Sequence, residues 1–139
     1  MSTRILYTDG SIAGGNPGGW AVGGWVCKTA DGERVHAGTL DLGKGPDRTN
    51  NQAEYAGILS GIRWLFDSGW EGAVIVRADS QLCVNQLAGR WRCKNPALAV
   101  MHEEILQLGG EFASISFEWI PRKDNAEADA QSRTLYPSR

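Results

Sequence analysis

The chain has 139 residues and a formal net charge of −2, and 42% of its residues are hydrophobic. This length suits one domain with its own core, so we expect residues 1–139 to form a single domain. No apolar stretch approaches the roughly 20 residues of a membrane span, which excludes a transmembrane class. Proteins that bind nucleic acids are usually basic, so the charge argues against that class unless acidic residues gather at a metal site.

The N-terminus and the cysteines indicate an intracellular protein. Residues 1–5 lack the long apolar region of a signal peptide, so the cytoplasm is the expected location. The cysteines are widely spaced and include no Cys-x-x-Cys pair, so we interpret them as reduced structural thiols rather than zinc ligands. They are Cys27, Cys83 and Cys93.

Three strands are predicted in the first third of the chain, at residues 4–8, 20–28 and 33–42. A glycine-rich segment at 14–19 joins the first two. It is better explained as a turn than as a phosphate-binding loop, because a strand-like run follows it in place of Gly-Lys-Ser/Thr and a helix. Asp31-Gly32 is a strong hairpin signal between the next two, so the pattern predicts an antiparallel meander.

The rest of the chain alternates between predicted helices and strands. Thr49 and Gln52 match a capping box, and the apolar spacing that follows predicts a helix that ends at Gly69. The later predicted elements are a buried strand at 73–78, a helix at about 80–88, a helix that Asn95-Pro96 opens, a strand at 114–120 and a last helix at about 125–134, capped by Asp124 or Asn125. This order predicts an α/β fold with a mixed sheet flanked by helices, in which ligands lie beyond the carboxyl ends of parallel strands.

Four acidic residues lie where these predicted elements begin or end. Asp9 can open a turn, and Glu54 is a favourable charge near a helix N-terminus. Asp79 can cap the helix that follows it, and Asp129 can be a solvated helix residue. In one shared cleft, however, four carboxylates would repel one another unless divalent cations lie between them.

The local sequences around these acids are YTDGS, TNNQAEY, ADSQ and NAEADAQSR. With these motifs in this order, the chain resembles the ribonuclease H family in its type 1 form, from about Ile5 to Arg133. The resemblance implies a ribonuclease H-like fold, whose five-stranded mixed sheet combines an antiparallel meander with parallel strands. The family's four catalytic, metal-binding carboxylates match Asp9, Glu54, Asp79 and Asp129.

The resemblance further implies a metal-dependent endonuclease. Such an enzyme hydrolyses the RNA strand of RNA/DNA hybrid duplexes, uses two Mg²⁺ (or Mn²⁺) ions, and leaves 5′-phosphate and 3′-hydroxyl ends. Asp9 is the expected bridge between both ions. Glu54 and Asp79 are expected on the nucleophile side, with Asp129 more loosely held. We expect the protein to act as a monomer.

The chain departs from the family in the loop before the last helix, where many members carry a histidine. Residues 120–125 contain none, and we interpret His36 and His102 elsewhere as incidental. Arg122 takes the loop position, as arginine does in some relatives, and it cannot act as a general base. It is either a candidate catalytic residue, which stabilises phosphate charge or helps product release, or a solvated surface arginine.

The resemblance also assigns substrate-binding positions, because the 2′-hydroxyl distinguishes RNA from DNA. The minor-groove candidates are Gly10, Ser11, Asn16, Asn50, Asn51 and Gln81. Thr49 and Asn95 match a pocket for a DNA-strand phosphate, and both are also predicted helix caps. The basic segment at 90–94 is either a phosphate contact or a solvated loop, and the longer basic helix of some members is missing from the sequence.

Two other functions stay open from the sequence. One is a non-catalytic hybrid-binding or accessory domain of the same fold, which the complete set of carboxylates disfavours. The other, a weaker alternative, is a hydrolase of sugars that uses a pair of carboxylates.

Overall fold

The computed structural model describes residues 2–137, and five strands of this range form one sheet. The strands are β1 (Thr3–Ala13), β2 (Trp20–Thr29), β3 (Arg34–Lys44), β4 (Ala73–Ala78) and β5 (Ser114–Trp119). Their order is β3-β2-β1-β4-β5. β1–β2 and β2–β3 are antiparallel, whereas β1–β4 and β4–β5 are parallel. The predicted fold class, a mixed sheet with an antiparallel meander and parallel strands, is confirmed.

The helices of the described range flank this sheet. They are α1 (Asn50–Asp67), α2 (Gln81–Leu87), α3 (Pro96–Gly109) and α4 (Ala126–Ser132), with a short 3₁₀ helix at Arg122–Asp124. The predicted capping box is confirmed, since Thr49 Oγ1 accepts the Gln52 N–H and Gln52 Oε1 accepts the Thr49 N–H. Between residues 2 and 137, no helix combines the length and the apolar character required to cross a membrane.

The first strand is longer than predicted, and the reason lies in its two neighbours. The prediction ended this strand at Thr8, where the parallel ladder with β4 also ends, at the pair Thr8↔Ala78. The antiparallel ladder with β2 continues from Asp9↔Gly24 to Ala13↔Trp20. Asp9 therefore lies within β1 rather than in a turn after it.

The last helix is shorter than predicted, and the side chain at its N-cap position makes hydrogen bonds outside the helix. Asn125 occupies the N-cap position, but its side chain makes no capping hydrogen bond. Its amide nitrogen instead donates to the Thr8 carbonyl oxygen at 2.8 Å and to Asp79 Oδ2 at 3.2 Å. The prediction that Asp124 or Asn125 caps this helix is thus confirmed for Asn125 in position, although its side chain makes no capping bond, whereas Asp124 lies in the 3₁₀ helix before the N-cap.

Glycines in β2 allow helices to approach the sheet closely on both faces. A Cβ at Gly23 would overlap the backbone nitrogen of Gly57 in α1, and a Cβ at Gly24 would overlap that of Ser132 in α4. Successive positions of a strand face opposite sides of the sheet. α1 and α4 therefore lie on opposite faces of β2, and both are held in backbone contact with it.

The apolar core lies between the sheet and helix α1. Tyr55, Ile58, Ile62 and other residues of α1 pack there against apolar side chains from β1, β2 and β4. α3 adds Leu98 and Ile105 to the same cluster. The helical spacing in the sequence predicted these apolar faces, which are confirmed.

The close contact at Gly23 yields a test of the packing. Gly23→Ala is expected to lower the free energy of unfolding by about 2 kcal/mol or more, because the new methyl group forces α1 away from the sheet. Urea unfolding followed by circular dichroism measures this change. Gly45→Ala is the matched control, since its nearest neighbour would be the flexible Arg48 side chain at 3.8 Å. Equal losses in both variants would contradict the proposed packing constraint.

Candidate functional site

Two of the four acids come together because their strands are neighbours. β1 and β4 run parallel, and their last paired residues are Thr8 and Ala78. Asp9 directly follows Thr8 in sequence, and Asp79 directly follows Ala78. Their side chains therefore start from adjacent backbone positions at the carboxyl end of the parallel ladder, where such sheets bind ligands.

The third acid reaches the same place because α1 crosses β1 at a glycine. A Cβ at Gly10 would overlap the backbone nitrogen of Glu54 and the carbonyl carbon of Ala53. The absence of a side chain at Gly10 lets the second turn of α1 lie directly on the strand. This contact brings Glu54 beside Asp9, although the two residues are 45 positions apart in sequence.

The three carboxylates form a compact group, which we call the acidic triad: Asp9, Glu54 and Asp79. One oxygen from each lies within 4.8 Å of one oxygen from the other two. The side chains of Asp9 and Glu54 are buried, with 1% and 3% of their surface exposed, and Asp79 is half-buried. Asp9 Oδ1 accepts the Gly10 N–H at 2.9 Å, whereas Glu54 Oε2 is buried without a hydrogen-bond partner among the described residues.

Burial and mutual repulsion make the ionised form of the triad unfavourable. Burial raises the pKa of Asp9 to about 6, a hydrogen bond with Glu54 partly offsets this rise, and the charge of Asp79 adds to it. Burial also raises the pKa of Glu54 well above its usual range, and the charge of Asp9 raises it further. Without a counter-charge, the triad therefore retains protons that ordinary carboxyl groups would release.

These features fit a site for divalent cations. Carboxylate oxygens are the hard ligands that Mg²⁺ and Mn²⁺ prefer. The buried Glu54 Oε2 needs a positively charged or hydrogen-donating partner, and the described residues supply none. A cation among the three oxygens would satisfy this atom and relieve the repulsion between the carboxylates.

Comparison with known proteins identifies the family. A family model described as reverse transcriptase-like matches residues 8–134. Ribonuclease HI of Halobacterium salinarum is 37% identical over 124 residues, which are 89% of this chain and 59% of that protein. A crystal structure of RNase H1 from the same archaeon superposes with a TM-score of 0.83 and covers 93% of each chain at 33% identity. The chain belongs to the ribonuclease H family, type 1.

Two further relatives define how far the similarity extends. A bifunctional protein of Mycobacterium tuberculosis is 36% identical over 126 residues, which are 90% of this chain and 33% of that protein. The chain thus spans about a third of the mycobacterial protein and about three fifths of the halobacterial one. LC11-RNase H1, whose structure was solved in complex with an RNA/DNA hybrid, is 32% identical with a TM-score of 0.82 over 92% of each chain.

The fourth acid of the family pattern, Asp129, lies outside the acidic triad. It is half-buried in α4, and its Oδ1 accepts a hydrogen bond from Arg133 Nε at 3.1 Å. Its charge nevertheless contributes to the raised pKa of Asp9. Asp129 is therefore near enough to act electrostatically on the triad, and an ion pair with Arg133 holds its carboxylate.

Two residues around Asp79 were not predicted as part of the site. Trp119 Nε1 donates to the Asp79 carbonyl oxygen at 3.1 Å, and Asn125 donates to its carboxylate. Asn125 was interpreted only as a helix cap, so its position before α4 concealed this contact. Trp119 belongs to the alternating apolar residues of β5, a pattern that predicts packing and not a hydrogen bond from the indole N–H.

Arg122, the residue at the family's histidine position, lies in the short 3₁₀ helix and is exposed. Its backbone carbonyl oxygen accepts the Asn125 N–H at 3.0 Å. The loop that carries Arg122 is thus tied to the residue that contacts Asp79. This exposed position is compatible with either interpretation made from the sequence.

The predicted minor-groove residues fall in three settings. Asn16 is exposed in the turn between β1 and β2, and its Oδ1 accepts the Asn50 N–H at 3.1 Å, which joins this turn to the start of α1. Asn51 and Gln81 are exposed near the N-termini of α1 and α2. Gly10 and Ser11 are buried, and the Ser11 hydroxyl is occupied by the Ser132 carbonyl oxygen and the Tyr136 hydroxyl. A substrate contact by Ser11 would therefore require its backbone.

The phosphate-pocket candidates both cap helices. Thr49 caps α1, and Asn95 Oδ1 accepts the Ala97 N–H at 2.8 Å at the start of α3. The basic segment between α2 and α3 is exposed at Arg90, Trp91, Arg92 and Lys94. Half of the Trp91 side chain (49%) is accessible, so an aromatic surface lies among positive charges there.

The raised pKa values predict how stability depends on pH without metal. Between its ordinary value of 3.8 and about 6, Asp9 is ionised in the unfolded chain but protonated in the folded protein. The free energy of unfolding of the metal-free protein should therefore fall as the pH rises from about 4 to about 6, and Glu54 acts in the same direction. Asp9→Asn removes the buried charge and should raise stability at pH 7 by about 1–3 kcal/mol.

Urea unfolding in EDTA at several pH values measures both effects. Asp47→Asn is the matched control, because Asp47 is exposed and lies outside the triad. A metal-free Asp9→Asn protein no more stable than the wild type at pH 7 would contradict the assigned repulsion.

Proposed function

We propose that this protein is a metal-dependent endoribonuclease that hydrolyses the RNA strand of RNA/DNA hybrid duplexes. The observation that carries the proposal is the acidic triad, a buried and repulsive group of oxygens at the carboxyl end of the parallel strands. Its place in a type 1 ribonuclease H chain supports this activity over the weaker alternative, a sugar hydrolase. The hybrid complex of LC11-RNase H1 supports the choice of substrate.

The residues that would hold the cations are Asp9, Glu54 and Asp79, with Asp129 as a more loosely held fourth ligand. A bound pair of Mg²⁺ or Mn²⁺ ions would supply activation of a water and neutralisation of the leaving 3′-oxygen, which would give 5′-phosphate and 3′-hydroxyl products. The chain's contribution is rigid placement: Asp9 is fixed by the Gly10 N–H and Glu54 by the contact of α1 with β1. Buried ligands of this kind need little reorganisation when charge develops.

Recognition of the hybrid would use the exposed polar residues at the edge of the triad. The Asn16 side chain has its oxygen occupied by the Asn50 N–H, so its amide N–H groups can donate to a 2′-hydroxyl or a base edge. Asn51 and Gln81 are exposed near the N-termini of α1 and α2 and offer further donors and acceptors. Thr49 and Asn95 lie at helix N-termini, where backbone N–H groups favour a DNA-strand phosphate.

Basic residues would provide the remaining grip on the duplex. The exposed segment Arg90–Lys94 offers three cationic side chains and the Trp91 ring to a phosphate backbone. Arg122 would stabilise charge on the scissile phosphate or on the released product. We propose one domain that acts as a monomer in the cytoplasm.

A non-catalytic, hybrid-binding domain is the alternative. The ion pair between Asp129 and Arg133 favours it, because this pair competes with metal for the fourth carboxylate. Cleavage assays decide between the two functions.

Cleavage of an RNA/DNA hybrid tests the proposal directly. The wild type should cut end-labelled RNA in the hybrid with Mg²⁺ or Mn²⁺ and should be inactive in EDTA. Asp9→Asn should lower the rate by at least about 10³-fold while the protein stays folded, because it removes a charged ligand from the group that neutralises the transition state. RNA/RNA and DNA/DNA duplexes of the same sequence serve as substrate controls.

Asp47→Asn is the matched variant for this assay, since it changes an exposed acid to an amide without touching the triad. Hybrid binding without cleavage in either metal would establish the non-catalytic alternative. Near-normal turnover by Asp9→Asn would show that the role assigned to Asp9 is wrong.

Arg122 is tested by two substitutions. If its guanidinium pairs with phosphate, Arg122→Ala should lower the cleavage rate about tenfold or more, and Arg122→Lys should recover part of the loss. Neither should change the thermal midpoint, because Arg122 is exposed. Lys123→Ala, which removes the neighbouring exposed charge, is the control. Equal rates in all three variants and the wild type would identify Arg122 as a solvated surface residue.

A further inference from the structure

Asn125 is a buried polar residue whose side chain joins three segments of the site. Only 1% of its surface is exposed. One amide nitrogen donates both to the Thr8 carbonyl oxygen, one residue before Asp9, and to Asp79 Oδ2. The backbone carbonyl oxygen of Asn125 accepts the Asp129 N–H at 3.0 Å, so the same residue also starts the helix turn that carries Asp129.

Asp79 depends on such contacts because it lies beyond the last ladder pair of β4. Trp119 Nε1 holds its backbone carbonyl oxygen, and Asn125 holds its carboxylate. Of these two contacts, only the one from Asn125 is made to the carboxylate, which is the group that would bind a cation. The orientation of the Asp79 carboxylate relative to Asp9 therefore depends on the Asn125 amide.

The chemistry of an amide suits this position. Its N–H₂ group donates hydrogen bonds without positive charge, so it can orient a carboxylate and leave its negative charge available for a cation. A lysine or arginine would compete with the cation, and an aspartate would add repulsion. The side chain makes no capping bond to α4, so helix capping does not explain its burial.

We propose that Asn125 is a positioning residue for the candidate metal site. It sets the Asp79 carboxylate against Asp9 and couples both to the helix that carries Asp129. This inference rests on the proposed function, since it concerns the cations that such an enzyme would hold. Removing the amide should leave Asp79 with more rotamers and thus weaken binding of the cation.

The test is a titration of the folded protein with Mn²⁺ alone, followed by the rise in thermal midpoint. Binding to the native state raises this midpoint, so the titration reports metal affinity without any cleavage. Asn125→Ala should shift the Mn²⁺ concentration for half the rise upward by about tenfold or more, as expected for residues that orient metal ligands. Asn125→Ser keeps a shorter hydroxyl donor, so its shift should be smaller.

Asn85→Ala is the matched control. The Asn85 amide also bridges local groups, the Gln81 carbonyl oxygen and Arg90 Nε, but it lies on α2 and contacts none of the triad. Its Mn²⁺ midpoint should equal that of the wild type. If Asn125→Ala does not fold, Asn125→Ser carries the test.

If Asn125 is only structural, its substitution should lower the metal-free thermal midpoint and leave the Mn²⁺ concentration for half the rise unchanged. This result would overturn the proposal. Parallel cleavage assays separate the two hypotheses. A wild type that binds Mn²⁺ and does not cut the hybrid contradicts the proposed function, while the Asn125 comparison still tests its positioning role.

Discussion

The site depends on forcing three carboxylates into one buried volume against their mutual repulsion. Asp9, Glu54 and Asp79 bring oxygens within 4.8 Å of one another, and two of these residues are almost fully enclosed. Burial and repulsion raise the pKa values of Asp9 and Glu54, so both residues retain protons at a higher pH than ordinary carboxyl groups do. A bound cation would therefore compete with protons for the same oxygens, so metal binding and proton release would be coupled. The fold must supply the stability that this arrangement consumes.

That stability comes from backbone contacts that only glycine permits. Gly10 lets α1 lie on β1 at Glu54, and Gly23 meets Gly57 one strand away. On the other face, Gly24 receives the α4 backbone at Ser132. The helices that carry Glu54 and Asp129 thus lie in backbone contact with opposite faces of the sheet, and the apolar core beneath α1 holds the first of them there. The same glycines serve packing and site assembly.

Much of this arrangement could be predicted from sequence because it follows from local patterns. The capping box at Thr49 and the Asp31-Gly32 turn are consequences of short-range chemistry. The order of strands in the sheet, by contrast, pairs segments that are far apart in sequence. The contact between Asn125 and Asp79 could not be predicted, since it joins residues 46 positions apart through a side chain that also suits a helix cap. The place of Asp9 within β1 was missed for a similar reason: the antiparallel partner that extends the strand is known only from the fold.

The acidic triad also bears on the conflict between the net charge and the proposed nucleic-acid substrate. The chain has 16 acidic and 14 basic side chains, and this excess of negative charge does not favour binding to a polyanion. Setting aside the three triad carboxylates leaves 13 acidic side chains against 14 basic ones. A cation pair there would reverse the local sign where a phosphate must approach, while exposed Arg90, Arg92 and Lys94 lie in one short segment for the flanking backbone. Attraction of the proposed duplex substrate would therefore depend on where charge is placed and on bound metal, rather than on the total charge.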